Sequence, residues 1–140
     1  MTPLADIAMT HEPLDVAAAT ARVTCAEAGG VAIFLGTTRA ETAAEGELLA
    51  LDYQAFEEMA VKELEKLVKQ ARTRWPISKA VIWHRVGPVA VAESSVIVAV
   101  SCPHRDAAFA ACAWLMDELK KTAPIWKKEV YRDGTRWQKM

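Results

Sequence analysis

Apolar positions recur along the chain in two rhythms, one at helical spacing and one in short unbroken runs. Met59, Leu64, Leu67, Val68 and Ala71 repeat at helical spacing within residues 56–74, which predicts an amphipathic helix. Its other faces carry Glu57, Glu58, Lys62, Glu63, Glu65, Lys66 and Lys69. The pairs Glu58–Lys62 and Glu65–Lys69 stand four residues apart, where opposite charges support a helix. Pro76 marks its end. Asp15 to Cys25 is alanine-rich and helix-favouring, closed by Gly29-Gly30. A third helix is expected from Arg105 to Lys120, between Pro103 and Pro124.

The remaining apolar runs predict strands. Val31-Ala32-Ile33-Phe34-Leu35 is bounded by glycines and reads as a buried strand. Residues 4–9, 48–53, 80–84 and 125–131 predict four more, and the valine- and isoleucine-rich run from Ser95 to Ser101 predicts a central one. Gly87-Pro88 and Asp133-Gly134 read as turns, and Gly36 to Glu47 as a mobile loop. The order is strand, helix, two strands, helix, two strands, helix, strand. Helices set among paired strands without a strict βαβ rhythm favour an α+β fold over a doubly wound sheet. A length of 140 residues predicts one domain over 1–140, with enough chain for a real core.

Charge and cysteine content narrow the function classes. The net charge is −1, without the basic excess of a nucleic-acid binder. Three cysteines, Cys25, Cys102 and Cys112, have neither the even count of a disulfide framework nor the CxxC spacing of a zinc site. They are expected to be buried free thiols. Met1 to Met9 lacks the features of a signal peptide, and no stretch has the length of a membrane span, so the expected compartment is the cytoplasm.

Candidate chemistry lies with cations. Lys120 closes the third helix, where the helix dipole favours a positive charge in any case. Lys127 sits in a predicted strand where Ile125, Lys127, Glu129 and Tyr131 share one face and Trp126, Lys128 and Val130 the other. A lysine held against apolar surface either snorkels or lies in a pocket where a lowered pKa makes it an acid or base. The turn at Pro124 folds this strand back toward the helix end, which would bring Lys120 and Lys127 around one anion. His104-Arg105, after Pro103, opens the third helix, where free backbone N–H groups favour a phosphate or carboxylate. The bland alternative is a cap and a surface arginine. Phe34-Leu35-Gly36-Thr37-Thr38-Arg39 runs from a strand into glycine, two hydroxyls and a cation, a weak anion-loop pattern. His84 reads as structural and His11 as peripheral. No HExxH, GxSxG or P-loop is present, and neither a metal nor a cofactor is expected.

Read in order, several segments resemble one family. They are Phe34-x-Gly36-x-x-Arg39, Tyr53, Met59-Ala60, Trp75-Pro76, His84-Arg85-x-Gly87 and Val98-Ala99-Val100-Ser101. There follow His104-Arg105-x-x-Ala108-Phe109, Met116-Asp117-x-Leu119-Lys120, Ala123-Pro124-Ile125-Trp126-Lys127-Lys128-Glu129 and Asp133-Gly134-x-x-Trp137. The whole, from about residue 30 to 137, resembles the large subunit of molybdopterin synthase.

The resemblance implies an α/β-hammerhead fold with an additional small antiparallel β subdomain. It implies a sulfurtransferase that turns cyclic pyranopterin monophosphate into molybdopterin in molybdenum cofactor biosynthesis. Sulfur would come from the thiocarboxylated C-terminal Gly-Gly of a small ubiquitin-like subunit. The implied assembly is a homodimer of this chain within a heterotetramer. The family's essential lysines fall on Lys120 and Lys127. Its substrate-binding positions fall on Phe34, Arg39, His104, Arg105, Met116, Lys128 and Glu129, with Thr37 and Thr38 in the same loop. Thr37-Thr38 stands where a basic and an apolar residue are common. The alternatives are a non-catalytic module that docks a ubiquitin-like tail, or an anion-binding protein using only the His104 helix start.

One geometric expectation needs no family. Arg105 and Lys120 are fifteen residues apart on one predicted helix, hence ~22 Å along its axis. If both serve one small pocket, two chains supply it across a two-fold axis.

Overall fold

Among residues 5–140, which the computed structural model describes, the long apolar runs become strands and the amphipathic stretches helices. The order is β1 (Ala5–Thr10), α1 (Val16–Val23), β2 (Gly30–Thr37), β3 (Thr42–Ala43), β4 (Gly46–Ala55) and α2 (Glu57–Arg72). It continues with β5 (Lys79–Arg85), β6 (Gly87–Ala90), β7 (Ser94–Cys102), α3 (Arg105–Thr122), β8 (Ile125–Tyr131) and β9 (Gly134–Lys139). Position 4 of the first expected strand lies outside the described residues.

Two sheets share the chain. The first has the order β1-β5-β7-β2, with β1 parallel to β5 and the other pairs antiparallel. Its central strand β7 is buried on both faces, and this explains its near-continuous apolar sequence. Alternate residues of β7 serve different layers. Val96, Val98, Val100 and Cys102 join the main core with α2 and α3, whereas Ile97 and Ala99 meet Ala19 and Val23 of α1. Asp15 caps α1 by accepting from the Ala18 backbone N–H. The second sheet is antiparallel, in the order β3-β4-β8-β9, with β6 also paired to β4. This is the α+β arrangement with an added antiparallel subdomain.

Three strands were not anticipated. The segment expected to be a mobile loop over Gly36–Glu47 contains the end of β2 and a short hairpin, β3 with the start of β4, turned by Gly46 at φ +96°. Gly87-Pro88 opens β6 rather than a plain turn. Pro88 is tolerated because β6 pairs on one side only. The segment around Trp137 forms β9 against β8. Met59, placed on the buried face of α2 by its spacing, is 61% exposed at the helix's first turns. Cys102 and Cys112 are buried free thiols as expected, but Cys25 is only half-buried.

Candidate active site

A cavity of about 630 Å³ opens where the two sheets meet the C-terminal half of α3. Its walls follow from strand and helix periodicity. In the β4–β8 ladder Tyr53 stands opposite Lys127 and Leu51 opposite Glu129, and directly opposed residues share a face. All four therefore point to the cavity. Met116 and Lys120, four apart on α3, stack on one side of that helix and form the second wall. Phe34 and Thr37 of β2, followed by Arg39, form the third.

Seven of the eleven candidate site residues thus line one cavity: Phe34, Thr37, Arg39, Met116, Lys120, Lys127 and Glu129. Arg39 is held loosely, its side chain 87% exposed and 4.0 Å from the Glu41 carboxylate. Glu129 is buried. The other four lie elsewhere. Lys128 is on the reverse face of β8, 3.9 Å from Asp52 and over the Trp137 ring at 5.6 Å. Thr38 is buried outside the cavity, and its Oγ1 has no hydrogen-bond partner among the described residues. His104 and Arg105 are exposed at the opposite end of α3, beyond any small pocket that holds Lys120. His104 is the N-cap by backbone position but makes no side-chain cap bond.

The cavity floor also holds two polar side chains, Tyr53 and His84, that are not among the eleven candidates. Tyr53 packs edge-on against His84, with ring centroids 4.9 Å apart. Burial raises the Tyr53 pKa, partly offset by a hydrogen bond with Ser95. His84 is fully buried, and burial lowers its pKa to about 4, with the Arg85 carbonyl opposing. Its Nδ1 lies 2.7 Å from the Arg85 carbonyl oxygen and its Nε2 lies 3.2 Å from the Met140 sulfur. A carbonyl can only accept, so Nδ1 carries the proton of the neutral ring and Nε2 keeps a lone pair. Only the motif His84-Arg85-x-Gly87 signalled this residue in the sequence.

Among the described residues no group of three or more His, Cys, Asp or Glu side chains could hold a metal ion. The cavity instead combines the donors Arg39, Lys120 and Lys127 with the carboxylates Glu41, Asp117 and Glu129 and with buried Tyr53 and His84. Such an arrangement suits a ligand with an anionic part and a flat, hydrogen-bonding part. Cys112 is no rival nucleophile, since burial pushes its thiol up to about 11 and it lies against the Val98 carbonyl.

The model of the MoaE protein family matches residues 9–122. The molybdopterin synthase catalytic subunit of Pyrococcus abyssi is 44% identical over 126 residues, covering 90% of this chain and 84% of that protein. The subunit of the same name from Culex quinquefasciatus is 42% identical over 127 residues, covering 90% and 80%. The crystal structure of molybdopterin synthase from Staphylococcus aureus superposes with a TM-score of 0.88 at 32% identity, over 93% of this chain and 94% of that one. A complex of subunits 1 and 2 of molybdopterin-converting factor from Helicobacter pylori gives a TM-score of 0.76 over 98% of this chain and 91% of that one. At 19% identity this last likeness is one of fold.

Proposed function

The chain belongs to the MoaE protein family, and from that membership we propose that it is the catalytic subunit of a sulfurtransferase in molybdenum cofactor biosynthesis. It takes sulfur from the thiocarboxylated C-terminus of a small ubiquitin-like subunit. It delivers that sulfur to cyclic pyranopterin monophosphate, building the dithiolene of molybdopterin. The observation that carries this reading is the convergence of Lys120, Lys127 and Arg39 on one cavity. Both the thiocarboxylate and the cyclic phosphate are anions, and charge-assisted hydrogen bonds from lysine and arginine are the strong way to hold them. Opening the cyclic phosphate and expelling oxygen as sulfur enters need protons delivered at defined atoms, which two positioned ammonium groups supply. Phe34, Thr37, Met116 and Glu129 shape the cavity around the substrate. Thr38 and Lys128 act at most through neighbours, since neither lines it.

The same reading includes two partners. One is the small subunit, and the H. pylori structure of this fold is itself a complex of two subunits. The other is a second copy of this chain, which supplies His104 and Arg105. Strand β2 supports the second. It is an edge strand without a charged residue, and its Val31, Ile33, Phe34 and Leu35 are exposed. Such an edge is a template for another strand. Its first residues touch the start of α3: a Cβ at Gly30 would stand 2.9 Å from the Arg105 Cα. Its last residues line the cavity. Antiparallel pairing of two β2 strands about a two-fold axis sets the first end of one against the last end of the other. His104 and Arg105 of each copy then approach the cavity of its mate.

The reading places the reaction in the cytoplasm and treats residues 1–140 as one domain. No helix of the described residues is long and apolar enough to cross a membrane. Reconstitution tests the proposal: the purified chain, the thiocarboxylated small subunit and the cyclic pterin together yield molybdopterin. Absence of product from the wild-type mixture overturns it.

A further inference from the structure

His84 has a feature that packing alone does not explain. Its Nε2 keeps a lone pair, because the proton of the neutral ring is committed to the Arg85 carbonyl. The atom next to Nε2 is the Met140 sulfur at 3.2 Å. A thioether has no proton to give, so this contact satisfies nothing. No described residue donates a hydrogen bond to Nε2, and the side chain is completely buried. Buried acceptors of this kind are uncommon and ask for an explanation. Both His84 and Met140 line the cavity that holds Lys120 and Lys127.

We propose that His84 Nε2 is a binding group of this site, accepting a hydrogen bond from an amide-type N–H of the ligand once the Met140 side chain moves aside. The assignment rests on the sulfur-transfer reading above. The rim groups Arg39, Lys120 and Lys127 can only donate, and they take the anionic part of a ligand. The carboxylates Glu41, Asp117 and Glu129 also line the cavity and can accept. His84 accepts while neutral, at a floor made with Tyr53 and Val96, so it suits a neutral N–H on a flat or extended group. Two parts of the proposed reaction carry such an N–H: the peptide end of a Gly-Gly tail and the ring of the pterin. Met140 meanwhile occupies the position a donor would take, and an unbranched thioether is readily repacked.

The test uses the full-length wild-type protein labelled with nitrogen-15 in histidine, so no variant has to fold. A long-range proton–nitrogen correlation spectrum first shows His84 with a protonated Nδ1 and a bare Nε2. One sample then receives a peptide ending in Gly-Gly, and another receives the cyclic pyranopterin monophosphate. Separate labelling of the lysine and arginine side chains reports whether Lys120, Lys127 and Arg39 sense the ligand. The expected result is an upfield movement of His84 Nε2 with one ligand, which identifies the occupant of the floor. Movement of the rim cations while Nε2 stays fixed with both ligands overturns the assignment and leaves the functional reading standing. If neither rim nor His84 responds to either ligand, the functional reading fails, and the assignment with it. Affinity supplies a second readout. His84→Leu weakens binding of the responding ligand about tenfold, the loss expected for one buried acceptor. His84→Gln, which keeps an acceptor at similar reach, retains most of the affinity. Equal losses in both variants count against the assignment, because a purely packing role is not rescued by an acceptor.

Discussion

Gly30 and Arg105 touch backbone to backbone: a Cβ on Gly30 would lie 2.9 Å from the Arg105 Cα and 3.0 Å from its nitrogen. The contact welds the start of the edge strand β2 to the start of α3. Its consequence is positional, because it sets where His104 and Arg105 stand relative to the strand that lines the cavity.

Gly30→Ala is therefore expected to destabilise the protein by ~1–3 kcal/mol, the usual cost of overpacking. Backbone atoms cannot swing away as a flexible side chain would, so the helix start has to shift. Urea denaturation of the variant measures this directly. A midpoint within experimental error of wild type would mean that the two segments slide apart freely.

Residues such as Gly30 show how much of the fold was legible in the chain. The long elements were legible because their apolar periods are unambiguous. β7 is buried on both faces, and α2 has a clear stripe at Leu64, Leu67, Val68 and Ala71. β3, β6 and β9 were missed because short edge strands owe their existence to a neighbour's free ladder and not to their own pattern. Gly87-Pro88 even carries turn chemistry. In the site, Lys127 and Lys128 were correctly set on opposite faces by period two alone. His84 reads as structural from the chain alone, since a strand histidine beside tryptophan looks the same whether its free nitrogen faces packing or a cavity.

Lys127 faces the cavity and Lys128 the reverse side of β8. Lys127→Ala and Lys120→Ala are each expected to lower the rate of molybdopterin formation by ~10²–10⁴-fold, the range for a lost general acid or base. Lys120 is exposed and Lys127 half-buried, so their removal should alter stability by no more than about 1 kcal/mol. Lys128→Ala breaks a partly exposed pair with Asp52, worth at most about 1 kcal/mol, and should reduce the rate far less than Lys127→Ala. Single-turnover assays of the three variants decide the order. A Lys128 effect as large as that of Lys127 would contradict the catalytic role given to Lys127 over Lys128.

His84 also makes stability depend on pH. Its folded pKa of about 4 lies below the ordinary 6.5, so between these values the unfolded chain binds a proton that the native chain refuses. Stability then rises with pH across that window. The contribution is complete above about pH 6.5 and is lost as pH falls toward 4. A shift of this size corresponds to about 3 kcal/mol. Urea midpoints measured from pH 7 down to about 4.5 should fall in wild type and fall less steeply in His84→Gln, which cannot titrate. Parallel slopes for the two proteins would assign the acid sensitivity to other groups.

The proposed sharing of one cavity by two chains makes a prediction that does not depend on any contact distance. Arg105→Ala and Lys120→Ala should each be nearly inactive as pure proteins. In a mixed dimer of the two, one cavity receives both substitutions and the other receives neither. Random reassortment of equal amounts yields half mixed dimers, so about a quarter of all cavities are intact. Mixing the two variants under conditions that exchange subunits should therefore restore activity to about a quarter of wild type. If Arg105 served the cavity of its own chain, every cavity in the mixture would carry one lesion and no activity would return. Ile33→Lys supplies the control for the interface. A charge on the exposed edge strand should convert the dimer to monomer by sedimentation and abolish the complementation. A dimer that survives this substitution places the two-fold axis away from β2.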